Sequence, residues 1–352
     1  QFQASSLVLA CSAWHERMSQ QAPNDPEMAR LNSSSGSGGP STTTGGSNVP
    51  ASSSTSPINS ANGTNAKATA TATSSHWKDV MLPAIVFLIG WYVPKYMLPS
   101  EDFIQQREIP YQKTAAGDVL LDLELNNEAI EDMTIPPTLL IRTSVVLPML
   151  LVAIVAWRKD KRDVPYAVSG LLLSIGVSEG CTQLIKLYVL RRRPNFYKLC
   201  QFSIETLKCM APYRKVLEAQ MSFPSGHSSI SFSGMTYVVW YLLGQGRLLL
   251  LPTMGSSATS YRPTNSSPNQ PQRILKLLCS ILLPWGWSTF VATSRLVDMW
   301  HHPSDIVAGT MIGMLSATIS YHCVYPTVTS QFSGLSFGLQ QASNDKLPSV
   351  SE

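Results

Sequence analysis

Six long apolar stretches follow one another along the chain from residue 80 onward, and polar or charged segments separate them. They cover residues 80–98, 137–157, 166–190, 228–251, 274–297 and 303–325. An α-helix needs about 20 predominantly apolar residues to cross the hydrocarbon core of a bilayer, and each stretch is close to or above that length. The pattern therefore predicts an all-α fold, a six-transmembrane-helix bundle.

The residues before the first apolar stretch have a different composition. Ser, Thr, Gly, Asn, Ala and Pro dominate residues 1–76. Such a segment cannot bury enough apolar surface to offset the entropy lost on ordering, so we expect a disordered N-terminal tail. The predicted organisation is this tail, a membrane domain at residues 77–326 and a short C-terminal tail at residues 327–352.

The basic residues of the short loops predict how the bundle is oriented. Two loops, after the second and the fourth stretch, are rich in Lys and Arg: Arg158, Lys159, Lys161, Arg162, Arg247, Arg262, Arg273 and Lys276. We therefore expect both loops to be cytoplasmic, and with an even number of spans both termini lie there too. This arrangement predicts a multi-pass membrane protein. We expect it in the endoplasmic reticulum or the plasma membrane, and the sequence does not indicate which of the two.

The loop after the third stretch departs from that charge rule. It lies on the predicted lumenal or extracellular side, yet it is basic: Arg191, Arg192, Arg193, Lys198, Lys208, Arg214 and Lys215. An anionic ligand would explain cations at this place. The net charge of the chain is only +4 and it contains no long basic run, so we expect no nucleic acid partner.

Ionisable side chains also crowd the boundary between the last two stretches. This segment, SRLVDMWHHPSD, holds Arg295, Asp298, His301, His302 and Asp305. Charged groups at a membrane boundary cost free energy and are candidates for function. His301 and Asp305 are four residues apart, so on a helical turn the carboxylate can accept a hydrogen bond from the ring. A purely structural His–Asp hydrogen bond is the simpler alternative.

Two further charged groups occur at ends of predicted helices. Lys186 and Arg193 are seven residues apart, close to two helical turns, so both point the same way on a continuing helix. Two cations on one face suit a phosphate, although lysine and arginine also extend toward lipid headgroups at helix ends.

The tetrapeptide from Pro224 to His227, PSGH, precedes the fourth stretch. Free N–H groups at a helix start bind anions, the hydroxyl of Ser225 can extend such a site, and Gly226 permits close approach of the backbone. His227 lies where it could transfer a proton. A helix cap with an interfacial histidine is the alternative, and a Ser225 nucleophile fits the surrounding cations less well than a phosphate site.

The six cysteines form no CxxC pair and no Cys/His spacing typical of zinc, so we expect no metal site. Cys200 and Cys209 share one predicted loop. They can form a disulfide if that loop faces an oxidising compartment. The sequence leaves the pairing open.

Taken together, these segments resemble the type 2 phosphatidic acid phosphatase superfamily, whose signature is KxxxxxxRP, then PSGH, then SRxxxxxHxxxD. Lys186 with Arg193 and Pro194, residues 224–227, and Ser294 and Arg295 with His301 and Asp305 match every fixed position. The resemblance covers about residues 77–326. REIP, RRRPNF, FPSGHSS and GTMIGM are most similar to the branch of magnesium-independent lipid phosphatases that includes diacylglycerol pyrophosphate phosphatase.

The resemblance implies a role for each matching residue. His301 would attack phosphorus and form a phosphohistidine, Asp305 would orient it, and His227 would protonate the departing lipid oxygen and then activate water. Five groups would hold the phosphate oxygens: Lys186, Arg193, Ser225, Gly226 and Arg295. His302 breaks the motif spacing by one residue and is expected to have a supporting part.

The implied activity is hydrolysis of a lipid phosphate such as phosphatidate, lysophosphatidate or diacylglycerol pyrophosphate, without a cofactor or magnesium. Polyprenyl diphosphates and sphingoid base phosphates are alternative substrates, because the same catalytic residues serve them. A non-catalytic lipid-binding or transport protein is the alternative of another class, although such relatives are expected to lack parts of the signature. The sequence does not indicate the oligomeric state.

Overall fold

The computed structural model describes residues 80–128, 133–249 and 270–344. The tail predicted at residues 1–76 lies outside the described residues, and so do the end of the fourth apolar stretch and residues 345–352.

The described part of the chain is mainly helical. Its helices are α1 (Val80–Tyr96), α2 (Glu101–Gln105), α3 (Pro137–Lys159), α4 (Val164–Val189), α5 (Phe196–Cys200), α6 (Tyr213–Ala219), α7 (Gly226–Gly246), α8 (Gln270–Val297), α9 (Pro303–Val324) and α10 (Phe337–Asn344). Two short antiparallel hairpins complete it, and they join β1 (Tyr111–Lys113) to β2 (Val119–Leu121) and β3 (Phe202–Ser203) to β4 (Lys208–Cys209). The all-α class is confirmed.

Four of these helices, α3, α4, α8 and α9, are long and apolar enough to cross a membrane. The other two predicted spans are also helical, but α1 is shorter and α7 is less apolar. The reason for α7 is its position: most of its residues are buried among other helices, including its four serines. A helix surrounded by protein does not need an apolar face toward lipid.

Helix α7 lies at the centre of the bundle and packs against α4, α8 and α9. Two glycines of α9 allow its backbone to approach the first turns of α7. A Cβ atom would lie 2.4 Å from the Ser225 carbonyl oxygen if added at Gly309, and 2.4 Å from that of Ser229 if added at Gly313. Small residues are the usual means of bringing membrane helices this close. The contact sets the start of α7 beside the start of α9.

A small second core covers the end of the bundle at which α4 ends. It forms mainly from the segment between α4 and α7, which the sequence indicated only as a loop, and includes Ile104, Phe196, Tyr197, Val216 and Leu217. Cys200 and Cys209 form a disulfide beside it. Backbone hydrogen bonds from Arg193 to Ala219 and from Ser222 to Arg191, both 2.9 Å, fix the chain after α4.

Residues after α9, which the sequence assigned to a short tail, fold back onto the other end of the bundle. Ser333 donates a hydrogen bond of 3.2 Å to the carbonyl of Gly244, and Leu339 of α10 is buried. There the buried carboxylate of Asp163 accepts from the Tyr325 hydroxyl at 2.9 Å. These contacts lie beside the start of α4, so the whole length of that helix separates them from the second core at its end.

We expect Gly309→Ala to destabilise the bundle, because the new methyl group would collide with the Ser225 carbonyl. Overpacking of this kind costs about 1–3 kcal/mol. Thermal unfolding in detergent micelles measures it. Gly286→Ala is the matched control, because a Cβ there meets nothing within 4 Å. Replacing a glycine within a helix by alanine should raise its free energy of unfolding by about 0.5–1 kcal/mol. Equal stability of the two variants would contradict the close contact.

Candidate active site

Six of the eight residues indicated by the sequence line one cavity of about 270 Å³, where the ends of α4 and α8 meet the starts of α7 and α9. These residues are Lys186, Arg193, Gly226, His227, Arg295 and His301. The other two, Ser225 and Asp305, are fully buried behind its wall. The three charged segments of the sequence thus converge at one end of the bundle.

A tight turn after α8 brings His301 to the cavity. Met299 has the left-handed φ of 56°, and the N–H groups of Met299 and Trp300 donate to the carbonyls of Leu296 and Arg295, both at 3.1 Å. These paired bonds are those of a Schellman motif, which usually has glycine at the left-handed position. The turn reverses the chain within a few residues and places His301 between α8 and α9.

His301 and His302 have different surroundings. His302 caps α9, and its backbone N–H donates to the Asp305 carboxylate at 2.9 Å in a capping box. His301 is buried, with Nδ1 3.6 Å from Asp305 Oδ2 and 3.5 Å from Ser222 Oγ. Because Nδ1 faces these groups, Nε2 is the ring nitrogen left to react. His302 Nδ1 also lies 3.4 Å from Asp305 Oδ2, but His302 does not line the cavity that His301 faces.

The Asp305 carboxylate is held from several sides. Ser222 Oγ donates to Oδ2 at 2.6 Å, and Arg191 Nη1 contacts Oδ1 at 2.8 Å. Sequence reasoning missed Ser222, for which no motif gives a signal. It noted Arg191 only as one cation of the run RRRP. With its oxygens held in this way, the carboxylate keeps a fixed orientation toward His301.

Burial favours the neutral form of His301. It lowers the pKa of His301 to about 3, and the positive charges of Arg193 and Lys186 act in the same direction while the nearby Asp305 carboxylate opposes them. At neutral pH the imidazole is therefore unprotonated, which is the form required of a nucleophile.

Arg193 is buried at the side of the cavity and held by backbone. Its Nε donates to the Glu218 carbonyl at 2.8 Å, its Nη1 to the Trp300 carbonyl at 3.4 Å, and its guanidinium lies 4.8 Å from the centre of the Trp300 ring. Burial lowers the pKa of Arg193 to about 10, so the side chain stays charged at neutral pH. These contacts orient the guanidinium group of Arg193 and leave some of its N–H donors available for an anion.

Arg295 is almost completely buried and depends on Asp298, a residue outside the signature. Its Nη2 lies 2.7 Å from Asp298 Oδ2. Asp298 in turn accepts from Thr134, through the hydroxyl at 2.7 Å and the backbone N–H at 3.0 Å. No sequence pattern pointed to Thr134, which is far away along the chain and precedes α3.

His227 is held by the backbone carbonyl of Ile135, the residue that follows Thr134. Its Nε2 lies 3.2 Å from the Ile135 carbonyl oxygen. A carbonyl only accepts, so this nitrogen carries the proton in the neutral ring, and Nδ1 is left unprotonated. Thr134 therefore supports Arg295 through Asp298, and Ile135 holds His227 directly.

The start of α7 forms the floor of the cavity. Ser225 is its N-cap and accepts from the Ser228 N–H at 3.4 Å, which leaves its own O–H able to donate. A Cβ atom at Gly226 would lie 3.8 Å from Lys186 Nζ, which places the ammonium group over the first turn of the helix. A helix start with free N–H groups and a nearby cation is suited to an anion.

Within the described residues no group of three or more His, Cys, Asp or Glu side chains is placed to hold a metal ion. The positive charge around the cavity comes instead from side chains and from the helix start. The arrangement can bind a phosphoryl group between three cations, with one neutral imidazole and a second histidine beside it.

The sequence profile of the PAP2 superfamily matches residues 167–328, a range that includes all eight predicted site residues. No solved structure matches the chain significantly.

Curated relatives carry related names. Lipid phosphate phosphatase 2 of Arabidopsis thaliana is 30% identical over 226 residues, 62% of this chain and 70% of that protein. The probable diacylglycerol pyrophosphate phosphatase 1 of Schizosaccharomyces pombe is 31% identical over 170 residues, 46% of this chain and 54% of that protein. Diacylglycerol pyrophosphate phosphatase 1 of Saccharomyces cerevisiae is 27% identical over 200 residues, 53% of this chain and 62% of that protein.

We expect Asp298→Asn to lower kcat/KM for a phosphate ester by about 100-fold, because Arg295 loses its partner and a small displacement of an anchor has effects of that size. Steady-state kinetics on purified protein measures the loss. Thr134→Val should give a smaller loss in the same direction, whereas Thr134→Ser keeps both hydrogen bonds and should retain activity. Wild-type kinetics in Asp298→Asn would show that Arg295 needs no such support.

Proposed function

We propose that this chain, which belongs to the lipid phosphate phosphatases of the PAP2 superfamily, hydrolyses phosphate monoesters or pyrophosphates of membrane lipids. The proposed substrates are phosphatidate, lysophosphatidate and diacylglycerol pyrophosphate, and the names of the relatives support this class. The observation that carries the proposal is the neutral His301, backed by Asp305 and facing a cavity that three cations surround.

In the proposed mechanism the first step is attack by His301 Nε2 on phosphorus. The nitrogen–phosphorus bond forms as the bond to the lipid oxygen breaks, and His227, protonated on both ring nitrogens at this stage, gives its Nδ1 proton to that oxygen. The Ile135 carbonyl retains the proton on His227 Nε2, so Nδ1 is the nitrogen that exchanges a proton. The products of this step are the free lipid alcohol and a phosphohistidine.

In the second step His227 acts as a base instead of an acid. The ring removes a proton from water, the oxygen of that water attacks phosphorus, and the bond to His301 breaks to release phosphate. The Asp305 carboxylate supports the positive charge that His301 carries during both steps. Lys186, Arg193 and Arg295 offset the charge that develops on the phosphoryl oxygens in the transition state.

The proposal includes a six-span topology with the site opening toward the lumen or exterior and both termini in the cytoplasm. The four helices with the length and composition of membrane spans support a multi-pass membrane protein. The wall of the cavity contributed by α1 and α3 is apolar and includes Trp91, Leu140 and Ile141. A headgroup can occupy such a cavity while its acyl chains remain in the bilayer.

We expect His301→Ala to abolish phosphate release from phosphatidate while the protein still inserts into membranes. Wild-type protein quenched during turnover of ³²P-labelled lipid should carry an acid-labile, base-stable label, which the variant should lack. His302→Ala is the matched control and should still form the phosphoenzyme, although loss of the helix cap lowers its stability. Labelling of the His301→Ala protein, or retained turnover, would reject the assigned nucleophile.

We also expect activity to survive removal of divalent ions. The three cations and the start of α7 supply the positive charge that a metal provides in other phosphoryl transfer enzymes. Turnover of phosphatidate in EDTA should equal turnover in magnesium. Complete loss of turnover in EDTA, with recovery when magnesium is restored, would contradict the proposal that the enzyme needs no metal ion.

A further inference from the structure

A buried carboxylate lies at the inner end of the same cavity, away from the histidines. Glu179 of α4 lines the cavity and is 6% exposed. Its Oε1 accepts from Gln183 Nε2 at 2.7 Å, whereas Oε2 is buried and has no hydrogen-bond partner. A buried acceptor without a partner is costly, and an ionisable group within a membrane helix indicates a functional site.

Glu179 lies where the lipid atoms next to the phosphate would be in a bound substrate. It precedes Lys186 by seven residues on the same helix, which is about 10.5 Å along the axis. Both side chains line the same cavity. The Lys186 end of the cavity holds the phosphate in the proposed function, so Glu179 and Gln183 face the next atoms of the lipid.

The rest of the inner end is apolar. Its walls include Trp91, Leu140, Ile141 and Ile230. These side chains suit the hydrocarbon part of a lipid, and none of them offers a donor to the free carboxylate oxygen apart from the indole of Trp91. The ammonium of Lys95 forms no ion pair with Glu179 and lies 5.2 Å from the centres of the Trp91 and Tyr92 rings.

We propose that Glu179 is a specificity-determining residue that accepts a hydrogen bond from a hydroxyl or ammonium group close to the substrate phosphate. The inference rests on the proposed function and narrows its substrate class. Lysophosphatidate with a free glycerol hydroxyl and sphingoid base phosphates with an amino group carry such donors. Phosphatidate has ester oxygens at these positions, and polyprenyl diphosphates have only carbon, so neither satisfies the free oxygen of Glu179.

The test compares lipids that differ in this one donor. Lysophosphatidate is paired with the same acyl ester of propane-1,3-diol phosphate, which lacks the free hydroxyl, and a sphingoid base phosphate forms a third arm. For wild-type protein we expect kcat/KM to be about 10- to 100-fold higher for lysophosphatidate than for the deoxy analogue, the usual range for a hydrogen bond to a charged group. A higher value for the sphingoid lipid than for lysophosphatidate would identify the ammonium as the preferred donor.

Glu179→Gln should remove most of that preference by lowering kcat/KM for lysophosphatidate and leaving the deoxy analogue within about twofold. Gln183→Leu removes the donor that positions the carboxylate, and it should reduce the preference less. This second variant keeps the proposal testable if Glu179→Gln does not fold. Glu218→Gln is the matched control, because Glu218 lines the cavity beside Arg193 at the outer end. It should change kcat/KM for all lipids by one common factor.

The outcomes separate the two proposals. An equal loss on every lipid in Glu179→Gln would mean that Glu179 serves only as a counter-charge for Lys186, and it would overturn the specificity role while the phosphatase function stands. Equal rates of the wild type on lysophosphatidate and its deoxy analogue would also overturn it. Absence of hydrolysis of every lipid by the wild type would overturn the proposed function and with it the role of Glu179.

Discussion

Two buried carboxylates hold the groups of the site in place before any substrate binds. Asp305 orients His301 and contacts Arg191, and Asp298 holds Arg295. Removing one partner of a buried pair leaves an uncompensated charge, which costs about 3–5 kcal/mol, so these contacts fix each position strongly. The cations and the imidazole therefore need little rearrangement when charge develops on a phosphoryl group, which is the condition for electrostatic stabilisation of a transition state.

The main features of the fold follow from local patterns in the sequence. Apolar stretches of sufficient length predicted the long helices, and the residue types at their ends indicated where an anion would bind. Lys186 and Arg193 could be paired because their spacing on one helix is regular, and His301 and Asp305 because they are four residues apart. The convergence of these segments on one cavity agrees with the geometry that the motif spacings required.

The supporting contacts could not be predicted because they depend on the path of the chain between helices. Ser222 reaches Asp305 only through the folded segment that follows α4, and Thr134 reaches Asp298 across the bundle. The turn after α8 has methionine at the left-handed position, where a sequence pattern would call for glycine. For α7, the low hydropathy that weakens it as a membrane span results from its burial at the centre, which only the tertiary structure reveals.

The segment before α3 connects two groups with different chemical tasks. The hydroxyl and N–H of Thr134 bind Asp298, and the carbonyl of the adjacent Ile135 binds His227. Both contacts come from two adjacent residues of the backbone. In the proposed mechanism His227 is the proton donor and Arg295, held by Asp298, binds the phosphoryl group, so a displacement of this short stretch would move both groups at once.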